Sequence, residues 1–246
     1  MANSFGIIGL RAFLPLLAMV AVAASPRIAS TQEATVYAVA GADGDETNIL
    51  LAGASVRPSG LGLKPVVGLQ VYRLGYDAGG TEGTATVLAV TPSIGAEYRT
   101  TGGAVGGRVG YSFQDRDVDA PFIGGAGGRS GVVTTLQANS WAGNRELQGI
   151  ASYNFGSDFL WSNAQAVLPV ARASFGNVGV GAEVVWEGEM GGDEGTEYRA
   201  FEVGPVVRVA NGRNLAVTLG GGLKTSNIRE DTYYARLSVV RYGIEF

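Results

Sequence analysis

The chain has 246 residues, of which 46% are apolar and 16% are charged, and its formal net charge is −4. It contains no Cys, which excludes disulfide support, and no His, which removes the usual general base and the commonest metal ligand. The acidic balance provides no basic footprint, so we expect no nucleic-acid partner.

The N-terminal residues have the pattern of a secretory signal. Arg11 supplies a positive charge, residues 12–24 are apolar or small, and the sequence turns polar soon after Pro26. This apolar run is shorter than the roughly 20 residues that a membrane-spanning helix needs. We predict a cleaved signal peptide over 1–24, a short segment over 25–33 and one domain over 34–246. A buried N-terminal helix is the alternative.

Twelve segments of the predicted domain have the pattern of β-strands, and they cover residues 34–42, 47–57, 64–76, 84–99, 104–115, 131–141, 147–156, 159–173, 175–187, 197–210, 214–226 and 232–246. Most exceed the roughly 5–6 residues of a globular strand and reach the roughly 9–11 residues of a tilted membrane strand. The lengths predict an all-β fold, an antiparallel up-and-down transmembrane β-barrel of about 12 strands. A soluble β-sandwich is the alternative.

Alternation along the strands supports a barrel with a polar interior. In the segment 175–187, Val178, Val180 and Val184 share one face, while Gly179 and Glu183 share the other. An apolar face toward lipid and a polar, Gly-rich face toward a lumen is the pattern of an outer-membrane strand.

The connections between the predicted strands differ in length. The odd-numbered ones include the long segments 77–83, 116–130 and 188–196, whereas the even-numbered ones are mostly short. In an even-stranded barrel with periplasmic termini, odd connections are extracellular loops and even ones are periplasmic turns. The sequence therefore predicts that the long loop 116–130 lies outside the cell.

Two kinds of short motif could in principle bind a ligand, either a phosphate group or a divalent cation. The Gly-rich segment 124–130 lacks the Lys-Ser/Thr of a phosphate-binding loop, so we interpret it as a loop. The acidic runs 43–46 and 115–119 offer carboxylate oxygens for a divalent cation, but their spacing does not match a calcium loop, and solvated charge is the simpler interpretation. We expect no catalytic residue, no metal and no cofactor.

Polar residues at alternate strand positions are predicted to face the lumen. Besides Gln70, they are Arg108, Asn163, Gln165, Glu183, Glu187, Glu202, Arg208 and Lys224. Charges of both signs inside a barrel of this size can pair and plug it, or they can line a narrow polar path. Both interpretations stay open.

The last residues are predicted to form a strand with one apolar face. Val240, Tyr242, Ile244 and Phe246 occupy every second position. This ending resembles the signal that the barrel-assembly machinery reads in bacterial outer-membrane proteins. We predict that Tyr242, Ile244 and Phe246 form that assembly signal.

Several short stretches prompt a comparison with a known family, and they lie at 130–141, 151–154, 159–161, 181–184 and 198–205. Together they resemble the BcsS family, a set of proteobacterial outer-membrane proteins associated with cellulose biosynthesis. The resemblance implies a non-enzymatic accessory role in exopolysaccharide biosynthesis or export. It also implies polysaccharide or cellulose-synthesis components as partners, in addition to the outer-membrane lipid that the barrel prediction itself implies. A structural or adhesion barrel with a plugged lumen, and a narrow diffusion channel, remain alternatives.

Overall fold

The computed structural model describes residues 32–44, 47–77, 84–117, 130–141, 145–191, 198–211, 214–227 and 230–245. The predicted signal peptide 1–24 and nearly all of the segment 25–33 lie outside the described residues, as do the Gly-rich motif up to 129 and Phe246. No helix in the described part of the chain is long and apolar enough to cross a membrane.

Twelve β-strands make up the described structure. Their bounds are β1 Gln32–Asp43, β2 Asn48–Pro58, β3 Gly62–Asp77, β4 Thr84–Arg99, β5 Gly103–Asp117, β6 Gly131–Ser140, β7 Glu146–Asn154, β8 Phe159–Ala173, β9 Gly176–Glu189, β10 Arg199–Asn211, β11 Leu215–Ser226 and β12 Thr232–Glu245. The first strand begins before the predicted boundary at 34, because Gln32 and Glu33 pair with Pro58 and Arg57 of β2.

The strands close into a barrel in which each strand pairs with its sequence neighbours. All pairings are antiparallel, and β1 closes the ring against β12, for example through Tyr37 and Val240. Closure leaves no free sheet edge, so every strand has a hydrogen-bonding partner on both sides. The predicted 12-stranded antiparallel β-barrel is confirmed.

The two faces of the wall have opposite chemistry. Large apolar side chains point outward and stay exposed, among them Ile94 at 69%, Leu136 at 67% and Leu168 at 52%. Charged side chains such as Glu183 and Lys224 are buried inside, at 3% and 4% exposure. This inversion of the usual soluble arrangement is what a barrel surrounded by lipid requires.

A β-bulge interrupts the last strand at Gly243, which has a φ of 59°. Val36 pairs with Arg241 whereas Ala34 pairs with Ile244, so β12 carries one extra residue at this point. Val240 therefore lies on the lumen side, opposite Tyr37, and Ile244 lies on the other side, opposite Ala34. The prediction that Val240 and Ile244 share one apolar face is wrong, because the bulge reverses the alternation between them, and the predicted position of Phe246 on that face lies outside the described residues.

The connections alternate between the two rims of the barrel. The β1–β2, β3–β4, β5–β6, β7–β8, β9–β10 and β11–β12 connections lie at one rim, which we call the odd end, and the other five lie at the even end. Even-end turns such as 59–61 and 174–175 are short, and positive φ angles of 95° and 87° at Gly60 and Gly62 make the first of them possible.

Candidate functional site: the barrel lumen

The structure places the predicted lumen residues on the inner face of the wall: Gln70, Arg108, Asn163, Gln165, Glu183, Glu187, Glu202, Arg208 and Lys224. Gln165 lies directly opposite Glu183, and Glu202 lies directly opposite Lys224, so each pair shares that face. The polar interior therefore contains side chains from most of the strands.

Lys224 is the centre of an ion cluster near the odd end. Its Nζ lies 2.8 Å from Asp43 Oδ2, 3.0 Å from Glu187 Oε1 and 3.7 Å from Glu202 Oε1. Tyr198, which precedes β10, donates its hydroxyl to Glu187 Oε1 at 2.6 Å. Burial and the charge of Glu187 raise the pKa of Tyr198, so this hydroxyl stays protonated as a donor. The cluster links strands that are not neighbours in the wall.

Arg236 on β12 extends the same cluster toward the middle of the lumen. Its guanidinium forms an ion pair with Glu202 and lies 3.5 Å from Glu183 Oε2. Asn163 donates to the same Glu183 oxygen at 3.4 Å. We call Asp43, Glu183, Glu187, Glu202, Lys224 and Arg236 the odd-end cluster.

A second ion cluster lies near the even end, on strands β1 to β5. Arg57 forms ion pairs with Glu33 and Glu97. Arg99 Nη1 lies 3.0 Å from Glu33 Oε2, and its Nε lies 3.7 Å from Glu97 Oε1. Lys64 lies opposite Glu97 in the register of β3 and β4. We call Glu33, Arg57, Lys64, Glu97, Arg99 and Arg108 the even-end cluster.

Side chains of β5 and β6 join the even-end cluster to the rest of the lumen. Gln137 donates to Glu97 Oε2 at 3.0 Å and accepts from Arg108 Nη2 at 3.3 Å. On the opposite wall, Arg208 forms a separate ion pair with Glu146 at 2.8 Å. Near both ends of the barrel, long charged side chains are thus held in place by partners on other strands.

Inward-facing glycines provide the space that these side chains occupy. Gly95 lies opposite Arg108, Gly204 opposite Glu183 and Gly179 opposite Arg208. A Cβ added at Gly68 would lie 3.1 Å from Arg108 Nη1. Because a glycine leaves a hollow in the wall, the opposing side chain can lie along the wall and fill part of the lumen.

Strands β6 to β8 form a wall section of different character. Its lumen-facing polar side chains are half-buried and uncharged, and Gln148 pairs with Gln165 while Ser152 pairs with Trp161. Within the described residues of these strands, Glu146 at the even end is the charged residue that faces the lumen. We call this section the amide wall, and its members are Thr135, Gln137, Asn139, Gln148, Ser152, Trp161, Asn163 and Gln165.

The described acidic side chains of the lumen contact cationic side chains. Within the described ranges, no group of three or more His, Cys, Asp or Glu side chains is placed to hold a metal ion. The acidic run predicted over 43–46 is divided, since Asp43 contacts Lys224 and residues 45–46 lie outside the described residues.

Comparisons with known proteins define the class of fold. No protein-family model and no curated protein matches the chain, but 78 chains of known structure match it. The β domain of the Bordetella autotransporter BrkA matches at a TM-score of 0.51 and 13% identity, covering 86% of this chain and 98% of that one. An outer membrane channel from Pseudomonas putida F1 matches at 0.54 and 13%, covering 87% and 95%. The chain therefore has the fold of outer-membrane β-barrels.

Proposed function

We propose that this chain is a non-enzymatic protein of the bacterial outer membrane that serves an exopolysaccharide, with cellulose as the favoured polymer. The observation that carries the proposal is the amide wall. Side-chain amides donate and accept hydrogen bonds without a net charge, and Trp161 offers an aromatic face. Such a surface suits an uncharged polymer of hydroxyl-bearing rings.

The apolar outer face supports the membrane location. Its exposed Ile, Leu and Val side chains require lipid around the barrel, and in this location the odd end faces outward. The C-terminal strand is then the segment that the barrel-assembly machinery receives. A non-enzymatic role is supported by the absence of His from the sequence, because lipid- and peptide-cutting chemistry generally relies on a His base.

Binding of a glucan by the purified barrel tests this proposal. Trp161 faces the lumen as part of the amide wall, whereas Trp186 on β9 lies on the outer face, opposite Phe201. We expect cello-oligosaccharides to quench the tryptophan fluorescence of the detergent-solubilised protein. Trp161→Phe should abolish the change and Trp186→Phe should leave it intact.

The same variants have a counterpart in cells. Deletion of the gene should lower the amount of exopolysaccharide at the cell surface. When the deletion strain is complemented, the Trp161→Phe variant should restore less exopolysaccharide than the Trp186→Phe variant. No glucan binding in vitro, together with normal surface polysaccharide in the deletion strain, would contradict the proposal.

A structural barrel with a plugged lumen is the second candidate. The two ion clusters favour it, because Glu97, Glu183, Glu202, Arg57 and Lys224 are all less than 9% exposed. Side chains so deeply buried hold part of the lumen shut. Unchanged surface polysaccharide combined with a loss of envelope integrity on deletion would favour this second candidate.

A further inference from the structure

The two ion clusters carry opposite charge excesses. In the odd-end cluster, the carboxylates of Asp43, Glu183, Glu187 and Glu202 outnumber the cations of Lys224 and Arg236. The Glu183 carboxylate is buried and interacts with Arg236, with Asn163 and with the Tyr234 hydroxyl. Its cation, Arg236, is shared with Glu202. Among the described side chains, the odd end of the lumen is therefore acidic.

The even-end cluster has the opposite balance. Arg57, Lys64, Arg99 and Arg108 face the carboxylates of Glu33 and Glu97. Among the described side chains, the neighbouring Arg208–Glu146 pair is balanced and leaves the excess unchanged. A solute that moves along the barrel axis thus meets an acidic zone and a basic zone in series.

We propose that the lumen admits uncharged polyhydroxylated solutes along the amide wall and rejects ions of both signs. Acidic linings repel anions and basic linings repel cations, so each kind of ion meets one unfavourable zone. A neutral solute meets neither barrier. It can exchange its hydration for the amides of Gln148, Asn163 and Gln165, which lie side by side on β7 and β8.

This inference deepens the proposed function and rests on it in one respect, the hydroxyl-bearing nature of the ligand. It adds that charged solutes are excluded from the lumen and that the two ion clusters cause this exclusion. The ion clusters are buried and occupy the lumen beside β9 to β12 and beside β1 to β5. The side chains of the amide wall, on β6 to β8, are only half-buried, so we place the path of the solute along them.

Uptake of three size-matched hexose derivatives into proteoliposomes tests the inference. We expect labelled glucose to enter about tenfold faster than cationic glucosamine or anionic gluconate, a difference equivalent to about 1.4 kcal/mol. Equal rates for all three solutes, or no uptake of any of them, would overturn the inference. Cellular polysaccharide is a separate readout, so loss of the proposed function is distinguishable from loss of this selectivity.

Single-charge variants show whether each zone acts as described. Glu183→Gln keeps the shape and removes one negative charge, so gluconate uptake should rise while glucose uptake stays constant. Its control is Asp115→Asn, which removes an exposed carboxylate of β5 on the outer face.

Lys64→Gln tests the basic zone in the same way. Glucosamine uptake should rise, whereas Arg241→Gln, a change on the exposed outer face of β12, should have no effect. A gel shift on heating verifies that each variant is folded. Folded Glu183→Gln and Lys64→Gln barrels with unchanged selectivity would refute the role of the clusters.

Discussion

Lys224 offers the sharpest test of how the barrel is held together. Replacing it with Met keeps much of the side-chain length and removes the ammonium that lies within 3.7 Å of three carboxylates. Asp43, Glu187 and Glu202 would then face one another across β1, β9 and β10, with Arg236 as the remaining cation of the cluster.

The expected cost is large because the site is buried. Lys224 is 4% exposed, and its Asp43 partner has a side-chain exposure of 5%. Removal of one partner from a buried ion pair typically lowers stability by about 3–5 kcal/mol, since the remaining charge is left uncompensated. We expect the free energy of unfolding of Lys224→Met to fall by an amount in this range.

Urea unfolding of the lipid-reconstituted barrel, followed by the heat-sensitive gel shift, measures this loss. Arg145→Met is the matched control, because it removes an exposed cation just before β7 and should change stability by less than about 0.5 kcal/mol. A Lys224→Met barrel within about 0.5 kcal/mol of the wild type would refute the reasoning. Adding Asp43→Asn to Lys224→Met should recover part of the loss, because it removes one of the uncompensated charges.

Two further predictions concern packing and orientation. Gly53→Ala should destabilise the barrel by about 1–3 kcal/mol, because the new Cβ would lie 2.5 Å from the Tyr37 ring, whereas Gly149→Ala, with nothing within 4 Å, should be neutral in the same urea assay. A Cys introduced at Met190, in the odd-end connection after β9, should react with an impermeant maleimide on intact cells. A Cys at Gly102, in an even-end turn, should react only after lysis, and equal labelling would contradict the orientation.

The fold was predictable because strand length and alternation are local properties. A period of two places Glu183 and Glu187 on the same face whatever the neighbouring strands do, so the lumen side of β9 follows from the sequence. The same local signal separates the exposed Val180 and Val184 from those carboxylates. These patterns need no knowledge of register.

The ion clusters were harder to predict from the sequence, because they depend on which strands lie next to each other in the barrel. Arg57 and Glu97 are 40 residues apart and contact each other only through the register of β2, β3 and β4. The sequence pattern predicts Glu33 before the barrel and Asp43 in an acidic run, although both lie in β1. The sequence signal that could have placed Glu33 and Asp43 in the lumen is the presence of charged residues at alternate positions near the strand ends.

The one local signal for the bulge was Gly243 itself, because an isolated Gly inside a strand pattern is typical of a bulge. Its positive φ arises where Ala34 and Ile244 pair one step out of register with the rest of β1 and β12. The regular alternation of Val240, Tyr242 and Ile244 therefore predicted a single face. In the closed barrel, Val240 and Ile244 lie on opposite sides of the wall.

Heat modifiability of the protein in isolated outer membranes tests the central claim, that the chain forms a closed barrel in that membrane. We predict that the unheated protein runs as a compact band, which shifts to the position of the unfolded chain on boiling. The compact band should be lost when Phe246 is deleted, if the terminal residues direct assembly. A protein that is recovered in the soluble periplasmic fraction and shows no shift on boiling would contradict the account.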